Sequence, residues 1–80
     1  MPKLLRLKIK DILKVFFQFS FEIISQKGSH IKISRKSKLK EDQILIIPNH
    51  KELDIGTIKA IYNQALKYIT EEELYKKFYK

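Results

Sequence analysis

Histidine occurs twice in this chain, at His30 and His50, and cysteine not at all. His30 stands in "QKGSHIKI", residues 26–33, directly behind Gly28 and Ser29 and ahead of alternating apolar and polar residues. An ordinary imidazole, with a pKa of about 6.5, takes or gives a proton near neutral pH. Ser29 beside it has the composition of a nucleophile and its base. Neighbours on a strand point to opposite faces, however, so the spacing disfavours a hydrogen-bonded serine dyad. RNA suits a lone histidine better because it carries its own nucleophile, the 2′-hydroxyl. A base for that hydroxyl, an acid for the leaving oxygen, and cations or amide donors for the phosphate complete the apparatus. Lys27, Lys32 and the Gly28–Ser29 backbone stand close enough in sequence to supply the phosphate contacts.

The remaining candidates are weaker. His50, in "IPNHKEL", reads as a second proton-transfer group, an RNA contact, or a loop histidine with local hydrogen bonds. The two histidines lack the spacing of a helical zinc site and have few carboxylates near them, so no metal and no cofactor is expected. Gly28 and Gly56, the only glycines, stand far apart, which excludes a glycine-rich phosphate loop. Tyr62, Tyr68, Tyr75 and Tyr79 are capable of base stacking, but their helical spacing favours a core edge or a partner interface.

Periodicity supplies the elements that must position these groups. Ile9, Ile12, Leu13, Phe16 and Phe17 follow the i, i+3, i+4, i+7, i+8 pattern of an amphipathic helix from about Lys8 to Phe19. From Phe21 the period falls to two. "FEIIS" and "SHIKISRK" form a hairpin turning at Lys27 and Gly28, with Ser29, Ile31, Ile33 and Arg35 on one face and His30, Lys32 and Ser34 on the other. If the isoleucines face the core, His30 and Lys32 face solvent. A polar loop, "KSKLKED", leads to a third strand, "QILIIP", which ends at Pro48. After the connector "NHKELDIG", Thr57 is placed to cap a second helix whose inner face carries Ile58, Ile61, Ala65 and Leu66, with Ile69 extending it. Thr70 and Glu73 make a capping box for a short last helix with Leu74 and Phe78 at i, i+4. The expectation is an α+β fold of order α-β-β-β-α, a three-stranded antiparallel sheet with both long helices on one face and a short C-terminal helix.

Eighty residues, 44% hydrophobic, bury one modest core, so a single domain over 1–80 is expected. The absence of cysteine fits a reducing compartment. The longest apolar run, Ile44 to Ile47, is far short of a membrane span, and the N-terminus lacks a signal-peptide pattern, so a cytoplasmic, membrane-free protein is expected. Seventeen Lys and Arg against nine Asp and Glu give +8, a field that attracts polyanions. The excess is clustered at Lys3, Arg6, Lys8 and Lys10, and again at Lys32, Arg35, Lys36, Lys38 and Lys40. RNA therefore leads the expected partners, with Lys36 and Lys38 of the basic loop steering it.

With these residues in view, "FEIISQKGSHIKI", "IPNHKELDIGTIKAIYNQA" and "ITEEEL" resemble the HicA, or YcfA-like, toxins of bacterial toxin-antitoxin modules. Order and spacing agree over nearly the whole chain. The opening "MPKL" is a common family start, and "KELDIGTIKAI" is similar to the family's K-E-L-x-x-G-T-L-x-x-I segment. The resemblance implies a double-stranded-RNA-binding-domain-like fold and a metal-independent endoribonuclease. It also implies cleavage of mRNA, translation arrest as a stress response, and neutralisation by a HicB-like antitoxin. The family's G-S-H motif falls on Gly28, Ser29 and His30, implying His30 as the catalytic residue, with Lys27 at the usual basic neighbour. The chain departs from the pattern in four places. Ile31 stands where a second histidine is frequent, and Ser20–Phe21 where Gly-Phe often opens the first strand. The segment "SRKSKLKEDQ" is longer and richer in lysine than usual, and the link from His50 to "KEL" is shorter. Two other readings remain open on the same residues: a non-catalytic double-stranded-RNA-binding domain, and a structural subunit whose open sheet face holds a protein partner.

Overall fold

The computed structural model describes residues 3–80; Met1 and Pro2, the start of "MPKL", lie outside the described residues. Six elements follow one another: α1 (Ile9–Gln18), β1 (Glu22–Lys27), β2 (His30–Lys36), β3 (Asp42–Pro48), α2 (Ile55–Ala65) and α3 (Glu71–Phe78). The strands form one antiparallel sheet in the order β1-β2-β3. This is the α+β arrangement that periodicity predicts, with the α-β-β-β-α order and the short C-terminal helix in place.

Period-two alternation divides the sheet into two chemically different faces. Ile31 and Ile33 of β2 and Leu45 and Ile47 of β3 are buried, and the helices cover them with Ile12 and Phe16 of α1, Ile58, Ile61, Tyr62 and Ala65 of α2, and Leu74 and Phe78 of α3. Aromatic rings tie these layers together: Phe16 lies 5.7 Å from Phe21 and 6.1 Å from Phe78, and Tyr62 lies 5.4 Å from Phe78. Edge-to-face and tilted contacts of this kind add to the area they bury. Tyr62 is thus a core residue rather than a base-stacking one. Burial, and then the nearby Glu71 carboxylate, raise its phenol pKa above the ordinary value.

Two local expectations are corrected. The β1–β2 turn consists of Gly28 and Ser29, with Lys27 paired to His30, rather than of Lys27 and Gly28. Gly28 has φ of +53° and Ser29 is not in the positive-φ region, the combination a two-residue II′ turn requires. Helix α2 is capped by Asp54, whose Oδ1 accepts the Thr57 backbone N–H at 2.7 Å, so Thr57 is the recipient of a cap and not the cap itself. Those hydrogen bonds from Thr57 hold the Asp54 carboxyl below the ordinary aspartate range. The other two helix starts follow the sequence. Asp11 accepts the Lys8 N–H at the head of α1, and the Thr70 hydroxyl accepts the Glu73 N–H at the head of α3.

Arg35, counted by sequence in a run of five cations, is a structural clamp. Its guanidinium donates to the Gln43 side-chain oxygen at 2.6 Å, the Phe19 carbonyl at 2.9 Å and the Tyr68 carbonyl at 2.8 Å, and lies 4.9 Å from the Phe21 ring centroid. Phe19 is the C-cap of α1, where a cation satisfies an orphan carbonyl and complements the helix dipole. The first and last described segments also meet: Lys3 and Lys80 exchange two backbone hydrogen bonds of 2.9 Å, and the Leu5 N–H donates to the Phe78 carbonyl.

Candidate active site on the open sheet face

The β1–β2 hairpin places His30 at the first position of β2, exposed, on the face away from the helices. Lys27 is its direct cross-strand partner, and Lys32 follows two residues on, on the same face and also exposed. A Cβ at Gly28 would meet nothing within 4 Å, so glycine is required there by the backbone conformation and not by crowding. On the other side, His30 pairs with Pro48 of β3, and the Asn49 N–H donates to the Ser29 carbonyl at 2.6 Å. That bond fastens the end of β3 to the turn and brings exposed His50 to the same end of the sheet. Lys27, Gly28, Ser29, His30, Lys32 and His50 are therefore gathered at one corner.

Among the described residues, no hydrogen bond engages the side chains of Lys27, Ser29, His30, Lys32 or His50, and no ion pair neutralises the two lysines. An imidazole and two lysine side chains are thus presented to solvent without internal partners among the described residues. Ser29 lies in the turn rather than on β2, and its hydroxyl makes no bond to His30. Three surface depressions of about 260, 350 and 470 Å³ are lined by residues outside this corner.

The other sequence-selected cations lie apart. Lys36 is six residues along β2 from His30, about 20 Å at the usual strand rise, and Lys38 is in the loop beyond it. Lys36 pairs with Asp42 at 2.6 Å between two exposed side chains, and Arg35 is turned beneath the sheet. Among the described residues, Lys38 and Lys40 are the loop's lysines without an ion pair. The loop itself is ordered: the Ser37 hydroxyl accepts the Leu39 and Glu41 N–H groups, and Lys40 takes φ of +63°. Only Ser37 to Glu41 separate β2 from β3, because half of "SRKSKLKEDQ" is strand.

Sequence reasoning passed over the β3 column of this face. Ile44 and Ile46, 39% exposed each, stand opposite Ser34 and Lys32. The apolar run "ILII" read only as a third strand, with no division between its faces, whereas Leu45 and Ile47 are buried and Ile44 and Ile46 face solvent. Among the described residues, no three His, Cys, Asp or Glu side chains cluster closely enough to hold a metal ion, and no helix is long and apolar enough to cross a membrane.

Comparison with known proteins adds a family. The family model described as HicA toxin of bacterial toxin-antitoxin matches residues 9–66, from the start of α1 to just past the end of α2, and so takes in the whole hairpin corner. No curated protein and no solved structure matches the chain significantly. With a match over well more than half of its length, the chain belongs to the HicA toxin family of bacterial toxin-antitoxin systems.

Proposed function

We propose that this toxin is a metal-independent endoribonuclease that cleaves mRNA and so arrests translation, with His30 as its proton-transfer residue. The observation that carries the reading is the G-S-H turn of a HicA-family chain, which presents His30 unpartnered beside Lys27 and Lys32 on an open strand face. In the reaction the RNA 2′-hydroxyl attacks the adjacent phosphorus and loses its proton to a base. The bond to the 5′-oxygen breaks, and an acid protonates that oxygen. The products are a 2′,3′-cyclic phosphate and a 5′-hydroxyl end. His30 serves as that base or that acid, Lys27 and Lys32 offset the phosphorane charge, and the backbone N–H groups of the turn are further donors. His50, fastened to the same corner, is the candidate for the opposite proton transfer.

A HicB-like antitoxin is the expected protein partner, covering this face, and the cytoplasm, where mRNA is found, is the expected compartment. The charge of +8 and the fold also support a non-catalytic binder of double-stranded RNA, which needs phosphate contacts but no acid or base. End analysis of RNA incubated with the purified protein separates the two. Fragments carrying 2′,3′-cyclic phosphate and 5′-hydroxyl ends are expected, whereas RNA that binds and stays intact at every protein concentration rejects the nuclease.

A further inference from the structure

Resting on that reading of the site, we infer that Ile44 and Ile46 form an aliphatic platform for two unpaired nucleobases beside the scissile phosphate. Their place in the sheet carries the inference. The Ile46 N–H donates to the Gln64 side-chain oxygen at 2.9 Å, and its carbonyl accepts from the Gln64 amide nitrogen at 3.2 Å, so both backbone groups point away from β2. Lys32–Ile46 is therefore a non-hydrogen-bonded pair, as are His30–Pro48 and Ser34–Ile44 in the same register. Pairs of this kind bring their side chains closest, with Cα atoms about 4.5 Å apart.

The open face is thus organised in parallel columns. His30, Lys32 and Ser34 form one, with Lys27 beside His30 on β1; Pro48, Ile46 and Ile44 form the other. A ribose-phosphate backbone laid along the first finds cations and the proton-transfer group. Its bases then fall on the second, where apolar side chains gain by excluding water from a base face. Successive platform residues are about 6.8 Å apart along the strand. That is about twice the 3.4 Å rise per nucleotide of a stacked helical strand, so bases settle on both isoleucines only when they are unstacked and unpaired. A duplex keeps its base faces covered and offers only phosphates and groove edges. The platform is short, since Glu22 stands opposite Ser34 and the Lys36–Asp42 pair follows, so an extended strand is gripped through about two bases. The substrate this face takes is single-stranded RNA, and Ile44 and Ile46 select it over A-form duplex.

The test uses the full chain and oligonucleotides with 2′-O-methyl sugars, which lack the nucleophile and cannot be cleaved. Fluorescence anisotropy compares a six-nucleotide single strand, an abasic strand of equal charge, and the corresponding duplex. The wild type should bind the intact strand about tenfold more tightly than either of the others, the scale expected for burying part of two aliphatic side chains. Ile44→Ser with Ile46→Ser should bind all three alike, while Ile46→Phe should widen the preference for the intact strand. Lys32→Gln should lower affinity for all three and flatten the salt dependence while leaving the base preference in place. Equal wild-type binding of intact and abasic strands, or base preference surviving in the serine double variant, overturns the platform even if all-ribose RNA is cleaved. Loss of protein-partner binding alone in that double variant assigns the face to a protein and also overturns it. Base-dependent binding without cleavage of all-ribose RNA upholds the platform and rejects the nuclease.

Discussion

Arg35 shows how much one side chain can hold in place from the underside of the same strand that displays His30. Its three acceptors come from the loop after α1, from β3 and from the link between α2 and α3, and two of them are main-chain carbonyls. Replacing Arg35 by alanine should therefore cost about 2–4 kcal/mol in urea unfolding, the scale of losing charged hydrogen bonds and leaving carbonyls unpaired in a partly buried setting. Arg35→Lys should recover little, because one ammonium cannot reproduce a planar fork spanning three directions and a ring. Stability unchanged in the alanine variant would show that water satisfies both carbonyls. Alternation placed Arg35 on the isoleucine face, yet its charge was also counted in the second basic cluster, Lys32 to Lys40. Alternation gives the face, but the acceptors lie 16 and 33 residues away and no local pattern announces them. His30 was legible for the opposite reason, since its turn, its exposure and its lysine neighbours are all set within six residues, 27–32.

At the scale of elements, period and capping chemistry identified every helix and strand, and the errors lie at their ends. Asp54 and Thr57 are both good N-cap types, and Gly56 before Thr57 made the later start plausible. Asp54 prevails because its carboxylate stands three residues ahead of an N–H it can accept, and α2 gains a turn that buries Ile58 from its second turn onward. Because hydrogen bonds from Thr57 lower the folded-state pKa of Asp54, the cap is fully present above the ordinary aspartate pKa. It is lost as pH falls from there through the lowered folded value. Asp54→Ala should lower the thermal midpoint at neutral pH. Asp54→Asn, still a good cap, should keep most of it and reduce the acid sensitivity. An alanine variant that melts with the wild type at pH 7 would remove the cap from the account. The one-residue slip of the hairpin turn had no such effect on the site. The face of His30 depends on the parity of β2 against buried Ile31 and Ile33, which the slip leaves unchanged.

Across the whole molecule, helices occupy one side of the sheet, the corner that holds Lys27, His30 and Lys32 lies on the other, and Lys3 pairs with Lys80. Composition foresaw the core and the positive field, and the family resemblance drew attention to the G-S-H turn. Neither foresaw the pairing of Lys3 with Lys80 or the Gln64 side chain bound to the outer edge of β3, because contacts between residues so distant in the chain leave no periodic trace. The central claim is that His30, on this open face, cleaves RNA by proton transfer without a metal. The most direct measurement is the single-turnover cleavage rate of a labelled mRNA in excess chelator, for wild type and for a His30→Ala variant with an unchanged circular dichroism spectrum and melting point. The account predicts chelator-resistant cleavage by the wild type and a loss of at least about 100-fold in the variant. Cleavage by the alanine variant at the parent rate, or abolition of wild-type cleavage by the chelator, would contradict it.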